Sequence, residues 1–506
     1  MENYTEVINP QIKRISSWKP FLRQTLVSTG VWTLLFVYGL CLGAPTVFIP
    51  QIRKEQNSTE AISDGMASWL TSAMTFSSIP WVFVLCVLTR YIGRRIPIIM
   101  TSIDALIGFI IFYCSTSVNQ ILVSQIIQGC FSASHIIIFV LIITEYTSPR
   151  YRGIFLTLKV ATLYWGIWAS NAIGTYLHWK TIAIFGIIFS LYTLLTVFLW
   201  PESPYWLASR GRFEECATSH RWLKGCDEES EKELEDLINK QKEYLKSDRD
   251  TLGIKEKIKN VYLTMSSKEF YKPCLISMLT GTLGCFSGKL VNTVYAIDII
   301  KKITHSEKTA YTGMLILDGI TVLSMYFGCV LSKIVRRRPL LIISSSIGTV
   351  FLFGISLYLF LIKYSVISEN KYVSLSLLTI FAIAISSGPL VMCTSVYAEL
   401  IPVRSRNLSV CVIAIAAQLT ISGLLKIAPY LFKGFGIHGT FLFFGLSSTV
   451  CIVLVYFYLP ETKDKTLQEI ADSIRGIYPI NKEEATKLMT TVNKDRIVPA
   501  AFKIED

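Results

Sequence analysis

Residues 188–212 read IFSLYTLLTVFLW and then PESPYWLASRGR. An uncharged apolar run stops at Trp200, and Pro-Glu-Ser-Pro follows at once. A near copy, PETKDK, follows another apolar run at Pro460. Both stretches have the chemistry of one helix ending and another beginning. Pro204 cannot continue a preceding helix but suits the first turn of a new one. Ser203 is a good N-cap, and Glu202 sits where a helix N-terminus is positive. At the second copy Thr466 precedes Glu469 by three residues, a capping-box pattern. A surface helix is therefore expected to start where a long apolar segment ends, twice in the chain.

The rest of the chain fits that picture. Its 506 residues are 52% hydrophobic and 17% charged, with mean hydropathy +0.48, whereas soluble domains carry about 25% charge. Windows of about 19 residues give twelve candidate spans, each near the ~20 residues that cross a bilayer. They lie at 26–50, 66–88, 96–116, 121–144, 153–177, 181–200, 273–300, 313–332, 339–361, 374–397, 408–432 and 440–459. The first is long enough to span, so it reads as a membrane helix rather than a secretory signal. An even number of spans puts both termini on one side. Short loops on that side are the richer in Lys and Arg, which predicts cytoplasmic termini in a multi-pass plasma-membrane protein. The net charge of +13 follows from this bias and does not call for nucleic acid. Asn57, in Asn-Ser-Thr, then faces outward as a glycosylation candidate. The twelve cysteines fall in spans or cytoplasmic segments, with no disulfide or metal spacing. No metal site or cofactor is expected. No nucleophile–base set or phosphate loop appears, so no enzyme is expected.

The chain reads as duplicated. Glu145 is followed by Arg152 in EYTSPRYR, and Glu399 by Arg406 in ELIPVRSR. The basic turn IGRR, with Arg94 and Arg95, has a partner in VRRR, with Arg337 and Arg338. With Glu202 and Glu461 in the proline motifs, three landmarks repeat in the same order. Two parallel six-span halves are what alternating-access carriers use, with the substrate between them at mid-membrane. The expected organisation is 1–25 cytoplasmic, 26–200 first half, 201–272 cytoplasmic linker, 273–459 second half and 460–506 cytoplasmic tail. The linker carries apolar residues at helical spacing, including Leu234, Leu237 and Ile238, which predicts amphipathic helices.

PESPYWL with its following GR, PETKDKTLQEI, the IGRR turn and the two Glu-x6-Arg motifs together resemble the sugar porters of the major facilitator superfamily. The general look is that of animal facilitative hexose and trehalose carriers. The resemblance implies an all-α fold of twelve transmembrane helices in two pseudo-symmetric halves with intracellular helices, moving a small solute across the bilayer. It also implies a cytoplasmic gate that ties the halves together in one facing state. Its members here would be Arg94, Arg95, Glu145, Arg152, Glu202, Arg337, Arg338, Glu399, Arg406 and Glu461.

Several positions depart from that pattern. The acid that usually precedes the basic turn is Arg90 in the first half and Lys333 in the second, and Tyr205 replaces an arginine. Sugar recognition needs amides that both donate and accept, plus an aromatic for the apolar sugar face. The span-five glutamine of the family is Val160 here, beside Lys159. Its paired glutamines are Gly284 and Cys285, its span-seven asparagine is Leu290, its tryptophan is Thr394, and its span-eleven asparagine is Ala417. Groups near these positions that remain able to bind are Lys159, Asn171, Lys289, Asn292, Tyr295, Thr394 and Gln418.

Asp104, His135, Lys159, Lys289, Asp298, Asp318 and Lys426 are ionisable residues at membrane depth, where charge is costly and marks function by default. Each also has a bland reading: pairing of Lys159 or Lys289 with Asp104 or Asp318, simple packing of His135, or snorkelling near span ends. Span one lacks an acid and the relevant span-four position is Gln125, so proton coupling is not expected. Three functions remain open on these residues: a facilitative sugar carrier, a non-transporting sensor on a carrier scaffold, and a carrier of an organic anion.

Overall fold

A computed structural model describes residues 18–55, 62–247, 254–400 and 406–463, and every regular element among them is a helix. The first half contains α1 (Lys19–Glu55), α2 (Asp64–Tyr91), α3 (Arg95–Cys114), α4 (Val118–Ile127), α5 (Gly129–Tyr146), α6 (Pro149–Tyr176) and α7 (Thr181–Val197). Four helices follow: α8 (Pro204–Ser209), α9 (Phe213–Lys224), α10 (Glu228–Ser247) and α11 (Ile254–Ser266). The second half contains α12 (Lys268–Phe286), α13 (Lys289–Val294), α14 (Ala296–Thr304), α15 (Glu307–Ile334), α16 (Arg337–Lys363), α17 (Lys371–Ser387), α18 (Pro389–Leu400), α19 (Arg406–Gly434) and α20 (Gly436–Tyr458).

Ten helical stretches are long and apolar enough to cross a membrane, and α7 is a shorter apolar helix. With α6, which packs along α1, they account for all twelve expected spans. Three spans are broken, each at or beside a glycine. The span-four helix divides at Gln128, between α4 and α5. The amide freed there, Phe131 N–H, donates to Asp104 Oδ2 at 2.8 Å. That bond explains an acid at membrane depth: Asp104 closes a helix terminus. The span-seven helix divides at Gly288 and again at Tyr295. Gly288 has φ 75°, and a Cβ there would meet the Phe444 ring at 3.0 Å, so only glycine fits without strain. The span-ten helix divides at Gly388, between α17 and α18.

The motif at Pro201 folds as its chemistry requires. Pro204 opens α8, and Ser203 Oγ accepts from Trp206 N–H at 3.2 Å. Trp206, Leu207, Cys216, Ala217 and Leu234 form a small core beneath the bundle, against which Leu237 and Ile238 pack. The start of α1 docks on these helices. Arg23 donates to the Trp222 carbonyl at 2.9 Å and lies 4.8 Å from the centre of its ring. Gln24 bridges Ser148 and the Leu223 carbonyl. Thr466 of the second motif and the sequon at Asn57 lie outside the described residues.

The main contacts between halves are α2 with α19 and α6 with α15. Large side chains such as Phe83, Leu195, Leu323, Val350 and Phe457 stand exposed on the outer faces. In a multi-pass protein such a surface is covered by lipid chains.

Candidate functional site

The basic turns and proline motifs meet on the face of the bundle that carries α8–α10, here the linker face. Arg94, 5% exposed at the start of α3, makes a bidentate pair with Glu145 at the end of α5: Nε to Oε2 is 2.9 Å and Nη2 to Oε1 is 2.8 Å. Ser203 Oγ donates to the same carboxylate at 2.6 Å. The N-cap serine therefore serves two helices at once. Glu202 accepts the main-chain N–H groups of Arg94 (2.8 Å) and Arg95 (3.3 Å). Gly93 permits that approach, since its φ is 106° and a Cβ would stand 2.4 Å from Glu202 Oε2. Arg95 Nη2 reaches the Phe198 carbonyl at 2.8 Å.

The second half repeats the device. Glu461 accepts the N–H groups of Arg337 (3.2 Å) and Arg338 (3.3 Å), and Arg338 Nη2 reaches the Tyr456 carbonyl at 2.5 Å. At Arg90 and Lys333, where an acid was expected, the main-chain carbonyls accept side-chain bonds. The Arg90 carbonyl accepts from Trp206 Nε1 (3.0 Å) and Arg210 (2.8 Å), and the Lys333 carbonyl from Lys463 Nζ (2.8 Å). Each described set closes within one half. Arg152, Glu399 and Arg406 lie on α6, α18 and α19, and Thr394 on α18; their side chains are outside the described residues.

Deep between the halves lies a second polar set. Asn171 on α6 donates from Nδ2 to Asp318 Oδ2 on α15 at 2.6 Å. Trp168 Nε1 on α6 donates to the Leu315 carbonyl on α15 at 3.2 Å, one turn away. Gln418 on α19 reaches Ser132 on α5 at 3.4 Å. Lys289, Asn292 and Asp318 line one cavity of about 30 Å³, room for a water and not for a sugar. Four buried atoms here, Asn171 Oδ1, Asn292 Nδ2, Thr293 Oγ1 and Gln418 Oε1, have no hydrogen-bond partner among the described residues. Buried polar groups normally find partners, and these four atoms are left unused among the described residues.

Lys159 is buried on α6, close to His135. His135 itself packs face to face on Tyr38, with ring centres 4.3 Å apart. Lys426 places its ammonium 3.6 Å from the centre of the Trp69 ring.

Tyr295 caps the set on the opposite face. Its hydroxyl bonds Thr71 on α2 at 2.7 Å and donates to the Leu425 carbonyl on α19 at 3.1 Å. Thr46 on α1 donates to the Val294 carbonyl at 2.8 Å. Beyond them opens a cavity of about 340 Å³, lined by Arg53, Asp64, Tyr295, Asp298, Lys302 and Phe432 among others. Tyr295 was legible from the sequence. Thr46, Thr71 and Ser132 were not, because lone hydroxyl residues in apolar helices carry no motif.

Comparison with known proteins places this geometry. A model of the sugar (and other) transporter family matches residues 26–473. The facilitated trehalose transporter Tret1 of Apis mellifera ligustica is 24% identical over 482 residues, covering 95% of this chain and 93% of that protein. Tret1 of Bombyx mori is 25% identical over 460 residues, covering 90% and 87%. Trehalose transporter 1 of Drosophila melanogaster is 24% identical over 472 residues; the chain spans 53% of that longer protein. Among solved structures, the proton:xylose symporter XylE bound to 6-bromo-6-deoxy-D-glucose superposes with a TM-score of 0.70 at 17% identity, covering 91% of this chain and all of that one. The inward-open form of XylE from E. coli gives 0.67 at 16% identity, covering 91% and 100%. The architecture is the twelve-helix major facilitator fold of a multi-pass membrane carrier, and the chain belongs to the sugar (and other) transporter family.

Proposed function

We propose that the protein carries a neutral sugar down its gradient across the plasma membrane by alternating access, with both termini and the α8–α11 linker in the cytoplasm. The observation that carries this reading is the buried polar seam: Asn171–Asp318 and Gln418–Ser132 join the halves, and the unused amide atoms beside them match hydroxyl groups. The named relatives are facilitated trehalose transporters, which supports a sugar moved without a driving ion. Lys159, Asn171, Lys289, Asn292, Tyr295, Thr394 and Gln418 form the proposed substrate region. The two arginine–glutamate sets, completed by Arg152, Glu399 and Arg406, form the proposed cytoplasmic gate. The halves run 26–200 and 273–459. Substrate binding shifts a pre-existing balance between facing states, and each pair that exists in only one state biases it.

One observation favours the organic-anion reading. Lys159 is 6% exposed, and no ion pair or hydrogen bond to it exists among the described residues. Uptake of labelled hexoses, disaccharides, polyols and organic anions into proteoliposomes separates the possibilities. Saturable sugar uptake that ignores an imposed proton gradient supports the facilitative carrier. Anion uptake abolished by Lys159→Gln supports the anion carrier. Binding of a sugar with no flux of any solute identifies a sensor.

A further inference from the structure

Lys289, Asp318 and Asn171 are 4%, 5% and 0% exposed, and they come from α13, α15 and α6. A carboxylate only accepts hydrogen bonds. The Asn171 amide nitrogen must therefore face Asp318, and its Oδ1 is turned away, without a partner among the described residues. Asp318 Oδ2 uses one bond to Asn171, while a carboxylate offers about four acceptor positions. Lys289 and Asp318 share the walls of the small cavity beside Asn292. Two opposite charges in one buried pocket compensate each other, and removing either leaves the other costly.

We propose that Asp318 is the specificity-determining residue of the carrier: its carboxylate accepts hydrogen bonds from sugar hydroxyls. This rests on the sugar-carrier reading. Lys289 keeps the pocket neutral, so the charge that recognises hydroxyls does not attract cations. Asn171 holds the carboxylate at the seam between the halves, and its own Oδ1 and Asn292 Nδ2 add an unused acceptor and an unused donor. Charge-assisted hydrogen bonds are the strong ones. The acceptor absent at Val160, Gly284 and Cys285 is thus supplied from α15. An organic anion would meet Asp318 as a like charge.

The test uses glucose, trehalose and their single-position deoxyfluoro analogues, taken up by the full-length protein in proteoliposomes. Fluorine occupies the hydroxyl's place but cannot donate. Wild type should discriminate against at least one analogue by about tenfold or more. Asp318→Leu with Lys289→Met replaces the pair by apolar side chains of similar size, which buried pairs tolerate. That variant should take up the parent sugar with raised KM and treat parent and fluoro analogue alike. Asp318→Asn with Lys289→Gln, which keeps one acceptor oxygen, should discriminate at an intermediate level and serves if the apolar pair does not fold. An unchanged fluoro profile in the variants, with wild-type uptake intact, overturns the assignment of Asp318 alone. Absence of uptake of either parent sugar by wild type overturns it together with the sugar-carrier reading.

Discussion

The bidentate pair between Arg94 and Glu145 can be tested as a coupled unit. Glu145 receives two bonds from Arg94 and one from Ser203, and the two side chains are 6% and 4% exposed. Glu145→Gln keeps the shape but turns one acceptor into a donor that faces a guanidinium. Breaking a buried pair from one side costs about 3–5 kcal/mol. Gln retains one acceptor oxygen, so a cost near the lower end, about 3 kcal/mol, is expected. Arg94→Gln removes the two guanidinium bonds to Glu145 and should cost a similar amount. The double variant removes both charges, so its loss should fall short of the sum by about 2 kcal/mol, within the range for contacting residues. A polytopic protein need not unfold in two states, so the useful readout is the order of melting temperatures by tryptophan fluorescence in detergent. Wild type should melt highest and the double variant lowest, but by less than the two single shifts added together. A double variant whose shift equals the sum of the singles would refute the coupling. Both residues belong to the first half, so the effect should appear as lost stability before any change in facing state.

Two further outcomes follow from the same structure. His220 on α9 lies outside the membrane and is 1% exposed; burial, helped by Lys224 and Arg221 against Glu231, holds its imidazole down at about 3. The fold thus favours the neutral ring. That contribution is fully present above the ordinary histidine value of ~6.5 and is lost as pH falls toward 3, by at most about 1.4 kcal/mol per pH unit. His220→Leu should flatten the acid side of a melting-temperature profile, and identical acid limbs in both proteins would contradict this. Cys86 on α2 and Cys411 on α19 are neighbours across the contact between these two helices, whose other end carries the Ser68–Lys426 contact. Oxidation by cupric phenanthroline should join the two thiols and stop uptake, and dithiothreitol should restore it. Inhibition that persists in Cys411→Ser would place the reactive thiol elsewhere.

The parts of this protein that the sequence displays are those whose physics is local. Pro204 and Ser203 mark a helix start within four residues, and apolar runs mark spans by length alone. The repeat at Pro460 then reveals the duplication. The contact of Glu202 with Arg94 bridges 108 positions, so only the family resemblance linked them. Arg90 and Lys333 are legible as departures from the family pattern, whereas the bonds that their main-chain carbonyls accept are not legible in a sequence. The partnership of Asn171 with Asp318 bridges 147 positions and two halves. Asp318 stood out as an acid at membrane depth, but nothing near it in the chain named its partners. Asp104 looked the same and proved to close a broken helix, a role set by the interruption at Gln128 rather than by solute.

Counterflow tests the central claim most directly. Purified protein in proteoliposomes preloaded with unlabelled trehalose or glucose, and given trace labelled sugar outside, should accumulate label transiently above equilibrium, because a loaded site exchanges faster than an empty one returns. Label that only rises to equilibrium, at a rate the preload does not change, would contradict a single site alternately exposed between two halves.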